Sequence, residues 1–342
     1  MKTYARAGVS RNLRKEAKKS LKVISATFGT SKSRIIKTPF NFLYPVGKNV
    51  YHVKTSDGVG TKVLLAQAAR KHDTIGIDAV AMVVNDCIRC GARPIAFTDI
   101  IDLKKSDPKL FSELQKGLIL GAERAGCPLV GGETADVPEL LKVPYHINCD
   151  CVGEVKKKDI ITGEKIKAGN VVIGLRSSGL HSNGFTLARK VLFKKWGGKF
   201  DFSAKPKGFD RSLFKTCLEP TKIYVRQFLK AAKKFRILGA VHITGDAYLK
   251  FQNLMKDSLG FEFDNFKPQP IFDLIQKTGK VSNKEMFKTF NMGWGFALIL
   301  RERDTIPALA ILKKERQSAE IIGRVTLENK IVIKYKDKII TL

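Results

Sequence analysis

Residues 75–92, IGIDAVAMVVNDCIRCGA, constrain the fold more than any other stretch of the chain. Apolar residues fall on nearly every face of a helix of this length, so the helix must be covered on all sides. Asp78, Asn85 and Asp86 are nevertheless built into it, and their spacing of seven and eight residues sends all of them out from roughly one side. An unpaired buried carboxylate is expensive, and folding keeps one only with a cation, a donor or a functional reason. Magnesium with nucleotide phosphates suits oxygen ligands of this kind. Ion pairing with Lys62 or Arg89 is the structural alternative.

The segments around that helix set the fold class. Residues 50–54 form a strand pattern, 62–73 a helical one, 94–103 a strand, 108–127 a helix, and 128–130 and 145–155 further strands. Past the polar connector KKKDIITGEKIKAGN come VVIGL, a helix from Phe185, the helical EPTKIYVRQFLKAAKKF, the strand and turn AVHITGDAY, and the strand MGWGFALIL. Such alternation implies an α/β or α+β layered architecture, and 342 residues with 44% hydrophobic content can fill two cores. Two domains are expected, 1–160 and 161–342. Near the start of the first, the SATFGTSKSR stretch reads as a mobile loop.

Apolar runs such as 79–84 and 171–175 fall far short of the roughly 20 residues of a membrane helix, and the basic N-terminus has no apolar region behind it. A cytoplasmic protein is expected. Lys and Arg number 62 against 32 Asp and Glu, a formal +30. The basic residues are scattered instead of forming one tract with aromatics, which favours attraction of phosphorylated metabolites over a nucleic-acid groove. Cys87 and Cys90 form a CxxC and Cys149 and Cys151 share a strand face, so a zinc site is conceivable; buried reduced thiols are the preferred reading.

Four glycine-containing segments can hold ligands. In SDGVGTK, Gly58 and Gly60 permit close approach to an anion, Thr61 and nearby amides can bind phosphate oxygens, and Lys62 adds charge. The segment lacks the ending of a Walker A loop. LVGGET sets Gly131, Gly132, Glu133 and Thr134 at the end of a buried strand, a common position for ligand-facing groups. SSGLHSNG carries Ser177, Ser178, Gly179, His181 and Asn183, suited to a phosphate or ribose and lacking the frame of a serine hydrolase. VHITGDA adds His242 and Thr244 before a glycine turn, where a satisfied core histidine is the simpler reading.

The order and wording of YARAGV, SDGVGTK, HDTIGIDAVAMVVND, GARPIAFTD, LVGGETA, SSGLHSNG, LEPTKIYV, HITG and FNMGWGF closely resemble the phosphoribosylformylglycinamidine cyclo-ligases, from about Tyr4 to Gly323. The resemblance implies a homodimer whose N-terminal sheets pair into a barrel, with an α/β C-terminal domain on each and a cleft for ATP and formylglycinamidine ribonucleotide. It implies ATP and Mg2+ as cofactors, with K+ a further candidate, and neither nucleic acid nor membrane as partner. Asp57, Lys62 and His181 become the catalytic candidates. The cofactor set is Asp57, Gly58, Gly60, Thr61, Lys62, Asp78, Asn85, Asp86, Asp99, Gly131, Gly132, Glu133 and Thr134, with Asp57, Asp78, Asn85 and Asp86 on the metal. Ser177, Ser178, Gly179, His181, Asn183, His242 and Thr244 form the substrate set. Relatives with thiamine-monophosphate kinase or selenophosphate synthetase activity share the ATP site and form the alternative, as does a non-catalytic polyanion binder. Two departures stand out. TPFNFLY replaces a glycine-rich loop, and Asp246 and Ala247 stand where the family commonly has bare glycines.

Overall fold

The structure, a computed structural model, describes residues 3–256 and 258–342, so the first two residues of the basic N-terminus lie outside the described residues. Among the described residues, thirteen strands form two sheets. The first comprises β1 (Ile36–Lys37), β2 (Phe42–Gly47), β3 (Val50–Gly58), β4 (Arg93–Leu103), β5 (Leu129–Asp136) and β6 (Tyr145–Lys156) in the order β1-β2-β3-β6-β4-β5. All its pairs are antiparallel except β4 with β5. The second comprises β7 (Val171–Arg176), β8 (Gly239–His242), β9 (Gly260–Phe263), β10 (Trp294–Leu300), β11 (Ala319–Thr326), β12 (Ile331–Tyr335) and β13 (Lys338–Thr341) in the order β13-β12-β9-β11-β7-β10-β8. Only β9 and β12 run parallel in it. Among the described residues neither sheet closes into a barrel.

The helices are α1 (Arg11–Ala17), α2 (Val63–Ala69), α3 (Ile75–Ile88), α4 (Pro108–Ala125), α5 (Phe185–Leu192), α6 (Leu213–Cys217), α7 (Val225–Lys234), α8 (Pro270–Gly279), α9 (Asn283–Thr289) and α10 (Glu302–Lys314). Asp107 caps α4 by accepting from the Lys109 and Leu110 amides, and Gly126 ends it in the left-handed region. The apolar helix is α3, and it is covered as its composition requires: by β3, β4 and β6 beneath, α4 beside, and α7 and β8 of the second half above. Glycines let α3 and α4 touch. A Cβ on Gly76 would meet the Leu118 amide at 2.3 Å, and one on Gly121 would meet Val80 at 2.8 Å. α3 is thus the seam of the molecule.

Several local expectations change. The strand expected over 50–54 runs to Gly58, because Ser56, Asp57 and Gly58 continue the ladder with β6 opposite Asp150, Cys149 and Asn148. Asp57 therefore projects from a strand end instead of a loop. The strand expected to stop at Val130 also continues to Asp136, paired with β4, which lays the Gly131–Thr134 segment along an exposed sheet edge. SATFGTSKSR is not a loop throughout: helical turns cover Lys18–Ser31. The helix expected from Glu219 starts only at Val225, because the amides of Thr221 and Tyr224 are taken by side chains of α3.

Candidate active site

A cleft of about 670 Å³ opens where the two halves meet. The end of β3 and the turn after it supply Asp57, Gly58, Gly60 and Thr61; α3 supplies Asp86; the loop before α5 supplies Asn183. The turn after β8 adds Thr244 and Asp246, with Lys250 one turn further on. Arg14, from the N-terminal segment, closes one side.

Asp86 is held from two directions. Its Oδ1 lies 2.9 Å from His242 Nδ1 and its Oδ2 2.9 Å from the Arg89 guanidinium. His242 is fully buried, and its Nε2 lies 3.5 Å from the Asn85 amide nitrogen, a donor, so Nε2 accepts and Nδ1–H donates to Asp86. Burial lowers the His242 pKa and keeps the ring neutral. Burial alone would raise the Asp86 pKa. The Arg89 guanidinium, the His242 hydrogen bond and Lys250 outweigh it and hold the carboxyl well below the usual carboxylate range. Asp57 differs. Its Oδ1 accepts only from the Gly58 amide at 2.8 Å, and no cation lies within ion-pairing distance among the described residues. Desolvation in the cleft, followed by the Asp86 charge, pushes its pKa up.

The start of α5 also faces the cleft. Gly184 is its N-cap, with no side chain to satisfy the first amides, and the Asn183 Nδ2 donor is buried without a partner. Thr61 and Thr186 meet across the cleft at 3.1 Å.

The remaining expected residues lie elsewhere. Asp78 and Lys62 are completely buried and paired with each other, Nζ to Oδ2 at 2.7 Å, with Lys62 also donating to the Glu219 carbonyl at 2.8 Å. Asp78 Oδ1 further accepts from Ser182, the Thr221 amide and the Thr221 hydroxyl at 3.0, 2.7 and 2.6 Å. The expectation that both face a nucleotide is corrected by this saturation. Asn85 likewise accepts from the Tyr224 amide and donates to the Lys222 carbonyl, both at 2.9 Å, clamping the second half onto α3 and leaving no group for a metal.

His181 is buried, with Nε2 accepting from the Ser178 amide at 3.2 Å, and burial drives its pKa well below the ordinary value. Ser178 donates to the Pro220 carbonyl at 2.6 Å, Gln269 reaches the Ser177 carbonyl at 2.7 Å, and the Gly179 carbonyl accepts from Asn291 at 2.8 Å. These residues shape the 177–184 loop from behind the cleft. Asp99 is buried on β4 beside Gly132, where an added Cβ would lie 2.2 Å from its Oδ1. Gly131, Glu133 and Thr134 are exposed on β5, and the Glu133 carboxylate accepts from the Thr134 amide at 3.0 Å. None of these five lines the cleft. All six cysteines are buried and unbridged, and burial pushes the Cys90 and Cys217 thiols up to about 12. Arg14 and Lys250 were missed: nothing local distinguishes either from the many other cations of a +30 chain.

Two mixed sheets with their helices, joined across a charged cleft, are the architecture of the AIR synthase related proteins. Models of that family's N-terminal and C-terminal domains match residues 41–155 and 167–336, and the chain belongs to this family. Phosphoribosylformylglycinamidine cyclo-ligase of Bacillus licheniformis is 45% identical over 284 residues, covering 82% of each chain. Among solved structures, a chain of the HypE-HypF complex superposes with a TM-score of 0.65 at 17% identity, covering 94% of this chain and 97% of that one. Thermotoga maritima PurL complexed with ATP gives 0.60 at 14%, covering 90% of this chain and 46% of that one. At such identities these two likenesses speak for the fold alone.

Proposed function

We propose that the chain closes formylglycinamidine ribonucleotide into aminoimidazole ribonucleotide, using ATP and releasing ADP and phosphate. The observation that carries the reading is the 45% identity to a cyclo-ligase over four-fifths of both chains. In the reaction the formyl amide oxygen bonds to the terminal phosphorus of ATP as the bond to ADP breaks. The closing nitrogen then bonds to the activated carbon, gives up a proton, and the oxygen departs with phosphate. No protein nucleophile is required, so catalysis is positioning and charge stabilisation.

Asp57 and Asp86 are the residues that would hold magnesium. One or two carboxylates plus nucleotide phosphates and water are a usual magnesium set. The fit is supported by an Asp57 carboxylate without a cation and an Asp86 carboxylate aimed by His242, in a cleft where no cage of three or more His, Cys, Asp or Glu exists among the described residues. When bound, the ion neutralises charge on the phosphates. The orphan Asn183 donor and the open start of α5 suit phosphate oxygens. Ser178 and His181 act on the substrate through the loop they brace.

We assign the domain boundary to the connector near residue 160 and the setting to the cytoplasm. The homodimer is read from the sheet face away from α3 and α4, where Tyr44 and Ile100 are 54% and 39% exposed. Sedimentation should give twice the 38.1 kDa chain mass; a monomer at micromolar concentration would count against it. The activity is tested by offering formylglycinamidine ribonucleotide, thiamine monophosphate and selenide in turn with Mg-ATP and potassium. Only the first should stimulate ATP cleavage, and turnover of either other compound instead would move the chain to a neighbouring activity.

A further inference from the structure

Among the described residues, six charged ones line the cleft: Arg14, Asp57, Asp86, Arg89, Asp246 and Lys250. Four of them cancel. Arg89 pairs with Asp86 at 2.9 Å, and Arg14 pairs with Asp246 at 2.5 Å, where Arg11 joins at 3.3 Å. Asp57 and Lys250 remain outside any ion pair among the described residues. The Lys250 ammonium has no carboxylate within ion-pairing distance among the described residues; it donates to the His242 carbonyl at 3.2 Å and to the Thr244 hydroxyl. An ammonium has three donors, so one is left after these two neutral acceptors. Burial lowers its pKa to about 8, with the Asp86 charge opposing.

The loop before α5 brings a second unmet donor up to this turn. Asn183 Nδ2 is buried and unpartnered, and its Oδ1 lies 3.4 Å from where a Gly245 Cβ would sit, next to the Thr244 that Lys250 binds. An acceptor-only anion arriving between them would satisfy both donors and the open start of α5 at once. A neutral ligand would leave the ammonium uncompensated.

We propose that Lys250 is a binding residue for a phosphate oxyanion of the reaction, contacting the polyphosphate of the nucleotide. The assignment rests on the cyclo-ligase reading for the identity of the nucleotide, but not for the chemistry of the contact. The substrate's ribose phosphate offers the same chemistry, and the experiment separates the two sources.

Lys250→Met and Lys250→Arg are compared with the full-length wild type by calorimetric titration with a non-hydrolysable ATP analogue and Mg2+, and by steady-state KM for each substrate. Loss of one charge-assisted hydrogen bond predicts about 10- to 100-fold weaker binding in Lys250→Met, with Lys250→Arg recovering most of it. A loss confined to formylglycinamidine ribonucleotide keeps the phosphate contact and transfers it to the ribose phosphate. Wild-type affinity and KM for both ligands in a folded Lys250→Met protein overturn the assignment. So does an equal loss in Lys250→Arg, which points to packing instead of charge; should Lys250→Met not fold, the Arg variant decides alone. Wild-type turnover in the same assay reports separately on the cyclo-ligase reading.

Discussion

The two ends of α3 carry carboxylates that look alike in sequence and behave differently in the fold. Asp78, near the start, is fully buried and meets Lys62, Ser182 and Thr221, so its charge is consumed in joining the halves. Asp86, near the end, meets Arg89 and His242 and still borders the cleft. Asn85 sides with Asp78, because a seven-residue step returns almost to the same face while the eighth residue turns away toward the cleft. An acid in an apolar helix therefore signals that a compensating partner exists. Which partner depends on what the other half of the chain brings, here the extended 219–224 segment at one end and His242 at the end of β8 at the other.

The comparison can be broken by substitution at each end. Asp78→Ala leaves the buried Lys62 ammonium without its carboxylate and should cost about 3–5 kcal/mol, read as a lower denaturant midpoint. A stable Asp78→Ala protein with wild-type midpoint would mean that the seam is held elsewhere. At the other end, Asp86→Asn should leave the fold intact and reduce turnover by about 10²–10³, since a charge beside the phosphates is lost. Wild-type turnover in that variant would remove Asp86 from the site.

His242→Phe should have a smaller effect, about tenfold on turnover, because it frees Asp86 to rotate without removing its charge. Its size is checked against Asp86→Asn in a double-mutant cycle, where the two losses should fail to add. Smallest is a pH effect. The Asp86 carboxyl sits below its ordinary 3.8 in the folded protein, so the stability it contributes is present above about pH 4 and is lost as pH falls further. Asp86→Asn should flatten that part of the acid-unfolding curve, and an unchanged curve would deny the depressed pKa.

The burial of α3 was legible because an all-round apolar helix has only one kind of environment. The cleft residues Asp57, Gly58, Gly60, Thr61 and Asn183 were legible because glycines and short polar groups cluster there in recurring order. Strand ends were not. SDG and GGET have the composition of turns, yet cross-strand pairing with β6 and β4 overrides local preference and extends both strands. Nor could spacing tell Lys62 from Lys250. One directly follows a glycine motif and is sealed inside; the other follows a turn without a signature and faces the cleft. That distinction is made by tertiary packing.

The most direct test of the account is one assay run on the wild type and on Asp57→Asn, following ADP and aminoimidazole ribonucleotide together with the melting temperature. Wild type should release the two products one to one from formylglycinamidine ribonucleotide. Asp57→Asn should melt near the wild type, since Asp57 has no ion pair to lose, and should turn over slower by orders of magnitude. ADP without aminoimidazole ribonucleotide from the wild type, or full turnover by a folded Asp57→Asn protein, would contradict it.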